Sequence, residues 1–280
     1  MFKVLLFCLL LSSCFKKDEI NLKPESFGGI SSKSSDVVRW PNRNPQLNLA
    51  YSDAYEGDFT AIDIDQDNHN PLEQGVKEWN TKTDEDLFVL PMKSVSNKTY
   101  NDLNDFYDRE MGIYKSFSWY PEVSSTAIAI TQFFGKRKKQ GTSLEYIEMV
   151  HADIIVNYDN YNFSTDKSDG DTYDLESVIV HELGHFIGLD HFNDFGINSV
   201  MHPYMSIFEA KRVVQGQDVE NFQNLYDQAS GRSPLKIHSA TSGSTSHSRD
   251  SKDHVVRGII ELRADGNCHH YQNGKLIYIH

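Results

Sequence analysis

Four side chains lie close enough in this sequence to act on one small centre: His181, Glu182, His185 and His191. On a helix, residues four apart share a face, so the imidazoles of His181 and His185 converge on one point, as a zinc ion requires at about 2.1 Å per bond. Glu182 falls about 100° round the helix from His181, beside the metal without aiming at it. That placement suits a general base working on water. If the chain reverses at Gly188, His191 returns as a third ligand. Three neutral nitrogens leave a fourth position open, which distinguishes a catalytic zinc from a structural one.

The elements that must position these groups are legible around them. Asp174 can cap a helix that runs through LESVIVHELGHFI and stops at Gly188. Ile179, Leu183 and Phe186 lie on the face opposite the histidines and supply its core contact. Upstream, Asn70 followed by Pro71 marks another helix start, with Leu72, Val76 and Trp79 at helical spacing. Gln46 to Tyr51, Leu87 to Leu90, Thr126 to Phe134 and Ala152 to Tyr158 are candidate strands, the last two joined through a basic loop from Gly135 to Gly141. The stretch from Tyr100 to Tyr120 is ambiguous between helix and strand. Asp218 can cap a final helix carrying Val219, Phe222, Leu225 and Tyr226.

His181-Glu182-Leu183-Gly184-His185-Phe186-Ile187-Gly188-Leu189-Asp190-His191 matches the metzincin pattern H-E-x-x-H-x-x-G-x-x-H at every specified position. Ser199-Val200-Met201-His202-Pro203-Tyr204 resembles the Met-turn of that family, with Met201 as packing beneath the metal. Within the metzincins the chain is most similar to matrixins, on PLEQGVKEW, VHADIIVNY and QDVENFQNLYD. The likeness covers roughly 37 to 228. It implies an α+β fold with a twisted mixed sheet and three helices, a catalytic Zn2+, and a protein or peptide substrate bound extended against an edge strand, for which Thr126 to Phe134 is the candidate. The chain departs from matrixins in lacking a cysteine-switch motif and second-zinc histidines, and in carrying Phe192 after the third histidine.

The ends read differently. Residues 1–13 have one lysine and an apolar run too short to span a bilayer, the pattern of a secretory signal. Leu11-Ser12-Ser13-Cys14 resembles the bacterial lipobox, which implies lipidation of Cys14, export, and anchoring in the cell envelope, at the outer membrane or cell surface. Residues 14–36 then form a polar tether to the domain at 37–228. With Cys8 removed and Cys14 acylated, Cys268 has no intrachain partner, so core packing and metal must hold the fold. Residues 229–253 are rich in Ser, Thr, Gly and His and read as a linker. Residues 254–280 contain two apolar runs and turns at Asp265-Gly266 and Asn273-Gly274, a small β-meander of unassigned role.

Forty acidic against 27 basic residues give a net charge of −13, which excludes binding to a phosphate backbone as the main function. Asp63, Asp65 and Asp67 alternate like a calcium loop, although Asn68 and Gln74 stand where an EF-hand has Gly and Glu, and a solvated turn explains them as well. Asp166, Asp169 and Asp171 form a second acidic loop. Structural Ca2+ is left open beside Zn2+. Cys268, in Cys268-His269-His270, is either a free thiol in the β-meander or a thiolate offered to the zinc. The expected function is a monomeric, exported, lipid-anchored zinc metalloendopeptidase. The rival is a non-catalytic or autoinhibited binding protein on the same scaffold, against which an intact Glu182 argues.

Overall fold

The computed structural model describes residues 36–166, 170–229 and 255–279. Cys14, the leader and tether, Asp169 and the linker lie outside the described residues. Those described form one unit of mixed α+β structure. No helix among them is long and apolar enough to cross a membrane.

Eleven short and long strands alternate with three helices in chain order: β1 (Val37–Arg39), β2 (Ala50–Ser52), α1 (Pro71–Thr83), β3 (Lys93–Val95), β4 (Gly112–Ser116), β5 (Ala127–Lys138), β6 (Tyr146–Asn157), β7 (Phe163–Ser164), β8 (Tyr173–Asp174), α2 (Leu175–Phe186), α3 (Gly216–Ala229), β9 (Val255–Arg263), β10 (His269–Gln272) and β11 (Lys275–Ile279). The main sheet runs β11-β10-β9-β5-β6-β4-β2-β3, and β1 lies along the first half of β6. β2, β3, β4 and β6 are parallel, whereas β5, β9, β10 and β11 are joined antiparallel.

The two long strands are buried along most of their length because both faces are covered. Ile128, Ile130, Ile154 and Val156 have no exposed surface, which is why β5 reads as nearly continuous apolar sequence instead of alternating. α1 starts as expected: Asn70 Oδ1 accepts the backbone N–H groups of Leu72 and Glu73, and Glu73 returns a carboxylate to the Asn70 N–H. The helix packs on α2, where the Trp79 indole donates to the Val180 carbonyl at 2.8 Å.

Four expectations are corrected. Leu87–Leu90 is not a strand; it makes one parallel bridge, Leu47 with Phe88, because Asn80 takes the Phe88 backbone groups with its own amide. Of Gln46–Tyr51 only the end is strand. The basic stretch from Gly135 is strand as far as Lys138, its charge neutralised by Asp36 and Glu145 around Arg137 and by Glu148 at Lys138. β5 is not an edge: β9 pairs with it from Ala127↔Arg263 to Lys136↔Val255. The ambiguous stretch holds a 3-10 turn at Leu103–Phe106 and strand β4.

Candidate metal centre

α2 begins where Asp174 accepts the Ser177 N–H and hydroxyl, and Arg212 clamps the same carboxylate while reaching Glu176 at 2.7 Å. The helix ends at Ile187, and Gly188 turns the chain with φ of +97°. Its last carbonyls are held as well, Phe186 by the Trp40 indole at 2.8 Å and Ile187 by the Tyr226 hydroxyl at 2.9 Å. Both ends of the helix carrying two of the histidines are therefore tied to the body of the domain.

That framework brings the three histidines together. His185 Nε2 lies 3.0 Å from His181 Nε2 and 3.1 Å from His191 Nε2. The outer nitrogens are engaged: His181 Nδ1 faces the Val200 carbonyl at 2.7 Å and His185 Nδ1 the Leu189 carbonyl at 2.8 Å. A carbonyl only accepts, so both Nδ1 atoms carry the proton and both Nε2 atoms turn a lone pair inward. Lone pairs facing at 3.0 Å among buried rings repel unless a cation lies between them, and burial depresses the His181 pKa further, chiefly by desolvation. The donor set fits zinc.

Glu182 is fully buried beside this cluster. Thr131 of β5 donates its hydroxyl to Glu182 Oε2 at 2.5 Å, while Oε1 has no hydrogen-bond partner among the described residues. Burial pushes the Glu182 carboxyl up to about 8, against the opposing effect of the Thr131 hydrogen bond. The Met-turn lies below: a Cβ on Gly184 would come within 2.2 Å of Met201 Sδ, so the sulfur packs against the helix through the missing side chain. Asp218 fixes that turn by accepting from Ser199 Oγ and from the N–H groups of Val200 and Gln215. It lies inside the first turn of α3, which starts at Gly216, and joins the N-terminus of that helix, through Gln215, to the turn.

Several contributors escape the motif. Thr131 is one, a single hydroxyl in an apolar strand with nothing in the sequence to single it out. His270 is another: its Nε2 meets His191 Nδ1 at 3.1 Å, so the C-terminal strands reach the centre. Cys268, singled out beside it, is buried with its thiol donating to the Pro203 carbonyl at 2.7 Å and pushed up to about 12 by burial, which keeps it a thiol and off the cluster. The Asp65 and Asp67 carboxylates are instead bridged by Lys77, at 3.0 and 2.5 Å. A cavity of about 400 Å³ opens beside His191, bounded by Phe133, Leu225, Ile260, His270 and Tyr278.

A mixed sheet thus carries a buried three-histidine cluster able to hold a metal ion, with a carboxylate adjoining it. Residues 122–227 match the family model of the matrixins, peptidase M10. Over 80 residues, 28% of this chain, it is 39% identical to Metalloendoproteinase 2-MMP of Arabidopsis thaliana, of which the stretch covers 19%. Over 54 residues, 19% of this chain, it is 37% identical to Metalloendoproteinase 1 of Glycine max, covering 17% of that protein. The chain thus spans under a fifth of the length of these curated relatives. The matched region contains His181, Glu182, His185, His191 and Met201; β9, β10 and β11 lie outside it.

Proposed function

We propose that this chain is a zinc-dependent endopeptidase in which His181, His185 and His191 hold the metal and Glu182 is the general base. The observation that carries the reading is the convergence of three imidazole Nε2 atoms beside a buried carboxylate with one oxygen left over among the described residues. Zinc, when bound, supplies the Lewis acidity that lowers the pKa of water and polarises a peptide carbonyl. Thr131 holds Glu182 Oε2, which leaves Oε1 as the atom to take a proton from the attacking water. A carboxyl raised by burial can keep that proton near neutral pH and pass it to the leaving amine. The cavity beside His191 offers an apolar place for a substrate side chain.

The test is cleavage of a mixed peptide library by the chain from Phe15 onward with zinc, beside Glu182→Ala and a chelator control. Cleavage that both abolish is expected; turnover by Glu182→Ala at the wild-type rate would sink the mechanism. Export and lipid anchoring through Cys14 belong to the same proposal, motivated by the apolar leader before Leu11-Ser12-Ser13-Cys14. Incorporation of labelled palmitate in a bacterial host, lost in Cys14→Ser, is the expected outcome, and an unlabelled wild type would exclude it.

A second reading has its own observation. β9 occupies the outer side of β5 from Ala127 to Lys136, on the strand where an extended substrate is expected, and Glu182 has no exposed surface. On this second reading the chain is a protease that its own C-terminal strands would hold shut.

A further inference from the structure

We propose that His270 is the positioning residue of the third metal ligand, so that the zinc site of this chain is completed from its C-terminal strands. The inference rests on the zinc reading above. His181 and His185 each present Nδ1 to a backbone carbonyl from the loops around α2. His191 has a side chain in that place: His270 Nε2, 79 residues away in sequence, at 3.1 Å from Nδ1. For His191 to turn its Nε2 lone pair inward like the other two, its Nδ1 must carry the proton and donate it. His270 Nε2 is then the acceptor, and the His270 proton sits on Nδ1. An outer partner of this kind fixes the tautomer and the ring direction of a ligating imidazole and raises its basicity.

The acceptor is itself held in place. His270 is buried, and its ring stacks on Tyr278 with centroids 4.1 Å apart at 24°. The Tyr278 hydroxyl donates to the Asp190 carboxylate at 2.8 Å, and the same oxygen of Asp190 accepts the His191 N–H at 2.9 Å. The contacts form a closed ring, from His191 through His270 and Tyr278 to Asp190 and back. Asp190 Oδ1 stands 3.5 Å from His270 Nε2, too far to take that nitrogen from His191. β10 and β11 supply two members of the ring, so their docking and zinc affinity are linked: each strengthens the other.

Two substitutions separate the hydrogen bond from packing. His270→Phe keeps a ring against Tyr278 and removes both nitrogens; His270→Gln places an amide oxygen near the Nε2 position and keeps an acceptor. Zinc affinity, measured by competition with a chelating indicator and without reference to turnover, is expected to fall about 10- to 100-fold in His270→Phe and to stay within a few-fold of wild type in His270→Gln. Equal affinity in His270→Phe and wild type overturns the assignment, as does equal weakening in both variants or a second zinc ion per wild-type chain. Should the Phe variant not fold, nitrogen NMR of the zinc-loaded wild type decides: a through-hydrogen-bond coupling between His191 Nδ1 and His270 Nε2 is expected, and its absence overturns the proposal. A wild-type chain that binds no zinc rejects the metal site itself, an outcome distinct from all of these.

Discussion

A carboxyl raised to about 8 by burial makes Glu182 a cost to the fold. In the zinc-free protein the folded chain keeps this proton until about pH 8, whereas the unfolded chain releases it near 4.5. The unfolded state therefore binds fewer protons between those values, and stability falls as pH rises across that window. Glu182→Gln removes the titration. In chelator, the melting temperature of wild type is expected to drop more steeply from pH 5 to 8 than that of the variant, read by calorimetry. Parallel slopes would mean that water already reaches the carboxylate. Glu261, also buried and raised, keeps the variant from being flat.

At the scale of elements, the ligand helix and the turn beneath it act as one piece. Gly184→Ala drives a methyl to 2.2 Å from Met201 Sδ, and overpacking of this kind costs about 1–3 kcal/mol. Asp218→Ala strips three donors of their charged acceptor, for an expected loss of about 3 kcal/mol. Both are checked by denaturant midpoints with zinc held constant, and Asp218→Ala should also weaken zinc, since Val200 of the same turn orients His181. An Asp218→Ala protein as stable as wild type would show the turn held by packing alone.

The same contrast explains what the sequence disclosed. The start of α1 and both ends of α2 were legible because Asn70, Asp174 and Gly188 act within a few residues of the backbone groups they serve. The closeness of His181 to His185 was legible because one helix spaces them, and that of His191 because Gly188 turns the chain back. Thr131, Asp218 and His270 act across 51, 18 and 79 residues, through hydrogen bonds that no local pattern encodes. Leu87–Leu90 pairs through its backbone only with Leu47, because the Phe88 groups on its other side are taken by a side chain, Asn80.

The placement of β9 decides how the whole molecule behaves. Read alone, Val255–Ile279 is a small meander with no evident purpose; in the fold it extends the main sheet and covers β5. It is pinned by Ser124 N–H to Glu261 at 2.9 Å, by Arg263 to Thr126 at 2.8 Å, and by a parallel bridge from Arg263 to Tyr204, just past the Met-turn. β9 thus lies between β5 and β10, and at its end Arg263 also meets the segment after Met201. Gly258 is the weak point, because any Cβ there comes within 2.0 Å of the Phe133 ring. Gly258→Val should loosen β9 without touching the histidines, Glu182 or Thr131. If β9 is a self-held occupant, peptide cleavage at saturating zinc rises at least tenfold in Gly258→Val, and rises likewise when a protease site engineered into 230–253 is cut. The linked ring through His270 adds a second sign: the same opening should weaken zinc binding, so activity and affinity move in opposite directions. Cleavage unchanged in both opened forms would mean that substrate reaches the zinc by another route, through the cavity beside His191, and that β9 is a permanent part of the sheet.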